Sequence, residues 1–296
     1  MHPVKTDIHR KELLGMRIKI TSDSTCDLTP ELLGRFDISV CPLYIIKDGV
    51  SYRDNVDITP AQIFAHVEAG GSLCSTAAVS DADYEEFFTR EMAGYDGLVH
   101  VTISSEMSAC YQNACNAARR MKNVHVVDSR NLSSAQGLIV MEGAEMAQRG
   151  DMTAAEIAQA MRDLTPKVDA SFCVDRLEYL RKGGRCSTAA ALGANLLSIK
   201  PCIEVREGNM LVAKKYRGHY DRVLKEYVHE RLAGNDTLRL HRIMVTHTPV
   251  PDGIVDMVKQ EIMACQPFAE ILETEALGTV ACHCGPHTLG ILYIHK

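Results

Sequence analysis

The chain has 296 residues, a length that suits one large domain or two medium ones. With 46% apolar and 24% charged residues, the composition excludes a disordered chain, a collagen-like repeat or a coiled coil as the main architecture. The net charge of −6 lacks the basic excess of nucleic-acid-binding proteins, so nucleic acid is not an expected partner. No apolar run approaches the ~20 residues of a membrane span, and residues 1–10 lack an apolar secretory segment. We therefore expect a cytoplasmic protein without integral membrane association.

The eleven cysteines are odd in number, scattered among apolar neighbours and free of any CxxC pair. Buried, reduced thiols explain this pattern best. Cys282, His283, Cys284 and His287 could be interpreted as a metal-ligand cluster. Because no second Cys/His pair lies near them in the sequence, we predict no metal site there.

The first half of the chain alternates predicted strands and helices. Thr29 before Pro30, and Thr59 before Pro60, each combine a helix N-cap with a proline at the first helical position. Gly70-Gly71 and Gly150 are typical helix stops. Strands are predicted at 17–21, 38–46, 97–103 and 124–128, with a hairpin turn at 47–49, and helices from 29, at 59–70, 109–118, 137–148 and 153–164.

This alternation indicates βαβ units and a largely parallel sheet. Polar segments 22–24, 104–105 and 128–129 each follow a predicted strand. Since ligands of such sheets bind beyond the carboxyl ends of the strands, these segments are expected to converge on one edge.

The pattern changes after Pro166. An antiparallel hairpin is predicted over 200–215, further strands at 243–248 and 279–283, and helices at 220–232 and 251–265. We predict an α/β fold of two domains. Residues 1–16 form a tail, 17–165 a mostly parallel α/β sandwich and 166–296 an α+β domain.

Four segments contain residues suited to chemistry. Ser104, Ser105 and Ser108 crowd one post-strand loop, as an anion site does, although helix capping also explains one serine. Residues 74–80 are small and hydroxylic and also suit a helix start. Residues 181–185 place basic side chains on both sides of a glycine turn. This pattern suits the binding of a phosphate or of an acidic partner, and it is equally typical of a solvated helix C-terminus. The fourth segment, 283–287, brings His283 into an apolar setting, which is also typical of a core histidine.

Together these segments resemble the DegV family, the fatty-acid-binding subunits of bacterial fatty acid kinase. The resemblance covers nearly the whole chain after residue 16, in motif order and spacing. Its motifs are TSDST at 21–25, TAAVS at 76–80, SSEMSACY at 104–111, DS at 128–129, LEYLRKGGR at 177–185, IKP at 199–201, YRG at 216–218 and HCGPHTLG at 283–290.

The resemblance implies a DegV/EDD-like fold and one long-chain fatty acid in an interdomain tunnel. It implies that Thr76 and Ser108 bind the carboxyl group, with Ser105 and His283 beside it. Arg185 and Arg217 would face an ATP-dependent fatty acid kinase that makes the acyl phosphate. The chain would then have no catalytic machinery or cofactor of its own, and at most transient contact with membranes.

Several positions depart from the family motifs: Ala77, Val79, Ala109, Cys110 and His287. His287 replaces a glycine at a position where a positive φ is plausible. Two alternatives stay open. One is a serine-dependent acyl hydrolase or transferase using Ser105 or Ser108 with His283, and the other is a carrier of a different small apolar acid.

Overall fold

The computed structural model describes residues 15–190 and 199–296. In the first half, strands β1–β7 are Ile18–Asp23, Ile38–Cys41, Tyr44–Lys47, Val50–Arg53, Ser75–Ala77, Gly97–Thr102 and Val124–Asp128. Helices α1–α6 are Pro30–Phe36, Pro60–Glu68, Asp81–Glu91, Cys110–Ala118, Ser133–Arg149 and Ala154–Leu164. In the second half, strands β8–β13 are Val168–Val174, Ile199–Arg206, Asn209–Arg217, Leu238–His247, Glu270–Glu275 and Thr288–His295. Helices α7–α11 are Leu177–Gly183, Ser187–Ala190, Tyr220–Leu232, Ile254–Cys265 and Gly278–Cys284.

The first sheet has the order β2-β1-β6-β7, and all of its neighbouring strands are parallel. Its central strands β1 and β6 are buried along their whole length, as expected when helices cover both faces. The predicted parallel α/β arrangement is confirmed. The predicted convergence of the post-strand loops is also confirmed, because the Ile103 N–H donates to Asp23 (3.1 Å) and the Ser105 N–H to Asp128 (3.2 Å).

A small antiparallel sheet, β4-β3-β5, corrects one prediction. Residues 38–46 do not form a single strand. The chain leaves β2 at Cys41 and enters β3 at Tyr44, in a different sheet, with Pro42 between them. Proline has no N–H to donate to a ladder, which accounts for the break.

The second half forms a six-stranded mixed sheet of order β10-β9-β8-β13-β11-β12. The predicted hairpin is confirmed as β9 and β10, and only β11 and β12 pair in parallel. The prediction of a strand at 279–283 is wrong, because these residues lie in helix α11. A short apolar run suits a buried helix as well as a buried strand, and α11 is buried on nearly all sides.

Helix α5 joins the two halves of the molecule. It packs against β1 and β6 on one side and against β8, β11 and β13 on the other. Its residues 133–144 are all buried, which is typical of a helix inside a core. One hydrophobic cluster therefore contains both Ile20 and Leu292. The domain boundary near 165 stays a prediction, although the described strands before it and after it belong to different sheets.

Within the described residues, no helix is long and apolar enough to cross a membrane.

Candidate ligand-binding site

A cavity of about 50 Å³ brings together side chains from both halves of the chain. We call it the hydroxyl cavity. Thr76, Ser108, Arg185 and His283 line it on the polar side. Its apolar wall includes Leu43, Ile103, Met107, Leu132, Met210 and Val280.

Backbone structure fixes the two hydroxyl residues. Thr76 lies in the short strand β5 and pairs with Ile45 of β3. Ser108 ends a turn in which its own N–H donates to the Ser104 carbonyl at 3.2 Å. The Ser108 Oγ also accepts the N–H of Cys110 (3.3 Å), the first residue of α4, so Ser108 satisfies one N–H of this helix as well as lining the cavity.

His283 contacts Thr76 across the boundary between the two halves. The distance from Thr76 Oγ1 to His283 Nε2 is 2.8 Å. Burial, with the positive charge of Arg185 nearby, lowers the pKa of His283 to about 4, so the ring is neutral at pH 7. The Nδ1 atom is buried and has no hydrogen-bond partner among the described residues. A proton on Nδ1 would be a buried donor without an acceptor. The single ring proton is therefore assigned to Nε2, and the imidazole donates to the Thr76 hydroxyl oxygen.

This tautomer leaves the Thr76 hydroxyl proton free. Thr76 Oγ1 uses a lone pair to accept from His283, and its own O–H can donate to another acceptor in the cavity. Within residues 15–190 and 199–296, the one side-chain acceptor of the Ser108 hydroxyl is a thiol, the Cys110 Sγ at 3.2 Å. A thiol is a weak acceptor, so this hydroxyl is also available. Two O–H donors therefore face the same small space.

The helix that contains His283 is anchored at its other end by two buried carboxyl groups. Asp27 accepts the N–H of Leu277 (2.8 Å), and Asp54 accepts the N–H (3.1 Å) and hydroxyl (2.7 Å) of Thr279. Burial raises the pKa of Asp27 well above its usual value and also raises that of Asp54. Asp27 and Asp54 were not predicted as functional residues. The sequence contains no pattern that marks them, because the N–H groups of Leu277 and Thr279 that they accept lie more than 200 residues away.

The cationic residues differ in position. Arg185 lines the hydroxyl cavity, and its guanidinium donates to the Gly183 carbonyl at 2.9 Å. Arg217 is exposed at the end of β10 and does not line the cavity. Ser105 is also exposed and outside the cavity lining. The structure thus brings together Thr76, Ser108, His283 and Arg185, but neither Ser105 nor Arg217.

A second cavity of about 30 Å³ shares two lining residues with the first, and we call it the inner cavity. Leu132 and Val280 line both cavities and form a waist between them. The inner cavity lies between α11 and the six-stranded sheet, and most of its exposed atoms are apolar. Its lining includes Ala170, Phe172, Ala276, Cys284 and Leu292.

His287 departs from the family motif at a position whose backbone conformation favours glycine. His287 has a φ of +56° and Gly285 a φ of +74°, so both lie in the left-handed region. A glycine would adopt the His287 conformation without strain, as the family motif implies. At Gly285 a side chain is excluded more strictly, because a Cβ would lie 2.5 Å from the Tyr179 ring.

The cysteines and histidines at 282–287 lie on a helix end and a turn rather than on a strand. In the described part of the chain, two groups of three potential metal ligands converge, and both lie outside residues 282–287.

A model of the family described as "Uncharacterised protein, DegV family" matches residues 17–296. The chain belongs to the DegV family. A DegV domain-containing protein of Clostridium acetobutylicum is 29% identical over 95% of this chain and 99% of that protein. A fatty acid-binding protein of Thermotoga maritima is 28% identical over 93% of this chain and 96% of its own length.

Solved structures of DegV proteins have the same fold. The fatty-acid-binding DegV protein of Thermus thermophilus superposes with a TM-score of 0.87 at 29% identity, covering 95% of this chain and all of that one. A stearic acid-binding protein of Eubacterium ventriosum has a TM-score of 0.77 at 25% identity, over 94% of this chain and 98% of its own.

Proposed function

We propose that this protein binds one long-chain fatty acid, with the carboxyl group in the hydroxyl cavity and the acyl chain in the inner cavity. The observation that supports this most directly is the hydrogen bond between Thr76 and His283, which leaves the Thr76 hydroxyl free beside Ser108 and Arg185. The description of two relatives as fatty-acid-binding proteins agrees with this assignment.

The polar end offers what a buried carboxyl group needs. Removal from water disfavours the charged form of a carboxyl group, unless donors or a positive charge compensate. Thr76 and Ser108 supply two hydroxyl donors, and Arg185 supplies the charge. The neutral His283 does not bind the carboxylate as a cation in this scheme. It fixes the orientation of the Thr76 hydroxyl.

The acyl chain provides most of the binding free energy. Burial contributes ~0.8 kcal/mol per methylene, so ~14 methylenes contribute on the order of 11 kcal/mol before ordering costs. The two cavities, about 50 and 30 Å³, hold only one or a few water-sized spaces each. A long acyl chain therefore requires Leu132 and Val280 to move apart. The waist is the part of the site that must adjust to the ligand.

We further propose that the protein presents the bound carboxyl group to an ATP-dependent fatty acid kinase. A carboxylate oxygen takes the γ-phosphoryl group of ATP, ADP leaves, and an acyl phosphate results. In this scheme the partner supplies the catalytic groups. The hydrolase alternative lacks its key contact, since His283 Nε2 bonds to Thr76 and neither Ser105 nor Ser108 is among the hydrogen-bond partners of the ring.

The first experiment removes both hydroxyl donors. In the double variant T76A/S108A, we expect fatty acid to be retained about 30-fold more weakly and therefore at lower occupancy, because the buried carboxyl group loses two hydrogen bonds of about 1 kcal/mol or more each. Extraction and mass spectrometry of the purified protein measure occupancy and chain length. The matched control is S72A/T89A, which removes two hydroxyls outside both cavities. Full occupancy in T76A/S108A would exclude this carboxyl site.

The second experiment separates binding from presentation. Arg217 is exposed and outside both cavities, so R217Q is expected to retain fatty acid at the wild-type level. Phosphorylation of the bound acid by a fatty acid kinase should be slower, because a charged contact with the partner is lost. K215Q, at a neighbouring exposed position of the same strand, is the control. Loss of fatty acid in R217Q would show that the arginine is structural.

A further inference from the structure

Three potential metal ligands converge on the outer helices of the second half, away from both cavities. His229 lies in the last turn of α9, and Glu261 and Cys265 lie on α10. Glu261 and Cys265 are four residues apart and therefore share one face of their helix. One ligand atom from each of the three residues lies within 4.8 Å of the other two.

The separations are close to those of a tetrahedral metal site. His229 Nδ1 lies 3.9 Å from Cys265 Sγ and 4.0 Å from Glu261 Oε1. Metal–ligand bonds of Zn²⁺ at tetrahedral angles require separations of about 3.3–3.6 Å between ligand atoms. A side-chain adjustment of about half an ångström would bring His229 Nδ1 to these separations from its two partners. The ligand atoms of Glu261 and Cys265 lie within 4.8 Å of each other.

No arginine or lysine of the described residues forms an ion pair with the Glu261 carboxylate. Its only ion-pair contact in the described part of the chain is His229. The comparable group of Glu142, Glu145 and His241 differs in this respect. There, Arg239 contacts Glu142 at 2.8 Å and Arg242 contacts Glu145 at 3.0 Å, so arginine side chains already neutralise both carboxylates.

The donor set determines the kind of cation. Imidazole nitrogen, thiolate sulfur and carboxylate oxygen together suit Zn²⁺ and similar transition metals, whereas Mg²⁺ and Ca²⁺ prefer oxygen alone. His229 is 68% exposed in its side chain, so a cation can reach the site from solvent and keep a water as its fourth ligand. Burial and the neighbouring Glu261 raise the pKa of the Cys265 thiol, so binding of the cation must displace its proton.

We propose that His229, Glu261 and Cys265 form a binding site for one zinc-like divalent cation, which links α9 to α10. This site is independent of the fatty-acid site. It adds a cross-link between two outer helices that otherwise meet through side-chain packing.

Cobalt is the most direct probe, because a thiolate bound to Co²⁺ produces a charge-transfer absorption band. Co²⁺ titrated into the chelator-treated full chain should produce this band up to one equivalent, and Zn²⁺ should abolish it. C265S should lack the band, and H229Q should weaken binding about tenfold or more. C115S, which removes the other cysteine that is not fully buried in the described chain, should retain it.

Two further measurements guard against misinterpretation. Thermal unfolding of C265S without metal should match the wild type, so that loss of the band is not loss of the fold. E145Q, in the arginine-paired group, should leave Co²⁺ binding unchanged. Absence of the band in the wild type, or its persistence in C265S, would overturn the proposal whatever the outcome of the fatty-acid experiments.

Discussion

At the scale of single residues, the protonation of His283 links the site to pH. Burial and Arg185 lower its pKa to about 4, whereas an imidazole in the unfolded chain titrates near 6.5. Between these values the unfolded chain binds a proton that the folded chain does not. The stability that depends on neutral His283 is therefore present above pH 6.5 and is lost as the pH falls towards 4.

H283Q tests this linkage. Between pH 7 and pH 4 we expect the free energy of unfolding of the wild type to fall by about 3 kcal/mol more than that of H283Q. Urea unfolding at both pH values measures this difference. Ionisable groups that are present in both proteins contribute equally to the two changes and cancel in the comparison. H219Q, at an exposed histidine, should follow the wild type. Parallel pH profiles for wild type and H283Q would show that the imidazole is not held neutral by burial.

The four residues at the polar end, which are Thr76, Ser108, Arg185 and His283, are predicted through their motifs and not through their spacing. Thr76 and His283 are 207 positions apart, and no local rule brings them to hydrogen-bond distance. The resemblance supplied both residues, and the structure supplies their contact, from which the tautomer and the free hydroxyl are assigned. Ser105 illustrates the limit of motif reasoning, because its neighbour Ser104 turns inward while Ser105 stays on the surface.

At the scale of elements, α11 is the part that sequence reasoning described least well. Its seven residues lack a side-chain cap of their own, and Asp27 and Asp54 from the first half accept its leading N–H groups instead. Local capping patterns predicted the starts of α1 and α2 correctly. A cap supplied from over 200 residues away leaves no such pattern, so this helix could not be distinguished from a strand.

Asp54 is expected to hold α11, and with it His283, in position. In D54A the N–H of Thr279 loses its acceptor in a buried site, which costs about 1–3 kcal/mol for each donor left unpaired. D54N keeps an acceptor of the same shape and should be milder. We expect D54A to lose both stability and bound fatty acid, measured by urea unfolding and extraction, with D54N intermediate. Equal stability of D54A and wild type would contradict the anchoring role.

At the scale of the whole molecule, the two cavities lie where the halves of the chain meet. Helix α5 fills the space between the two larger sheets, and the waist residue Leu132 immediately precedes it. Val280 faces Leu132 from α11. A ligand that passes the waist therefore contacts both halves at once, and its binding should stabilise the folded protein with the logarithm of the ligand concentration above Kd.

V280F should close the passage between the cavities. The larger ring fills the waist, at a cost of about 1–3 kcal/mol from overpacking, and leaves the Thr76 and Ser108 hydroxyls in place. We expect the acids extracted from V280F to be shorter or fewer than those from the wild type. V280A, which widens the same point, should retain long-chain acids despite its own loss of stability. If V280F and V280A carried the same long-chain acids in equal amounts, the acyl chain would have to follow a route other than the waist between Leu132 and Val280.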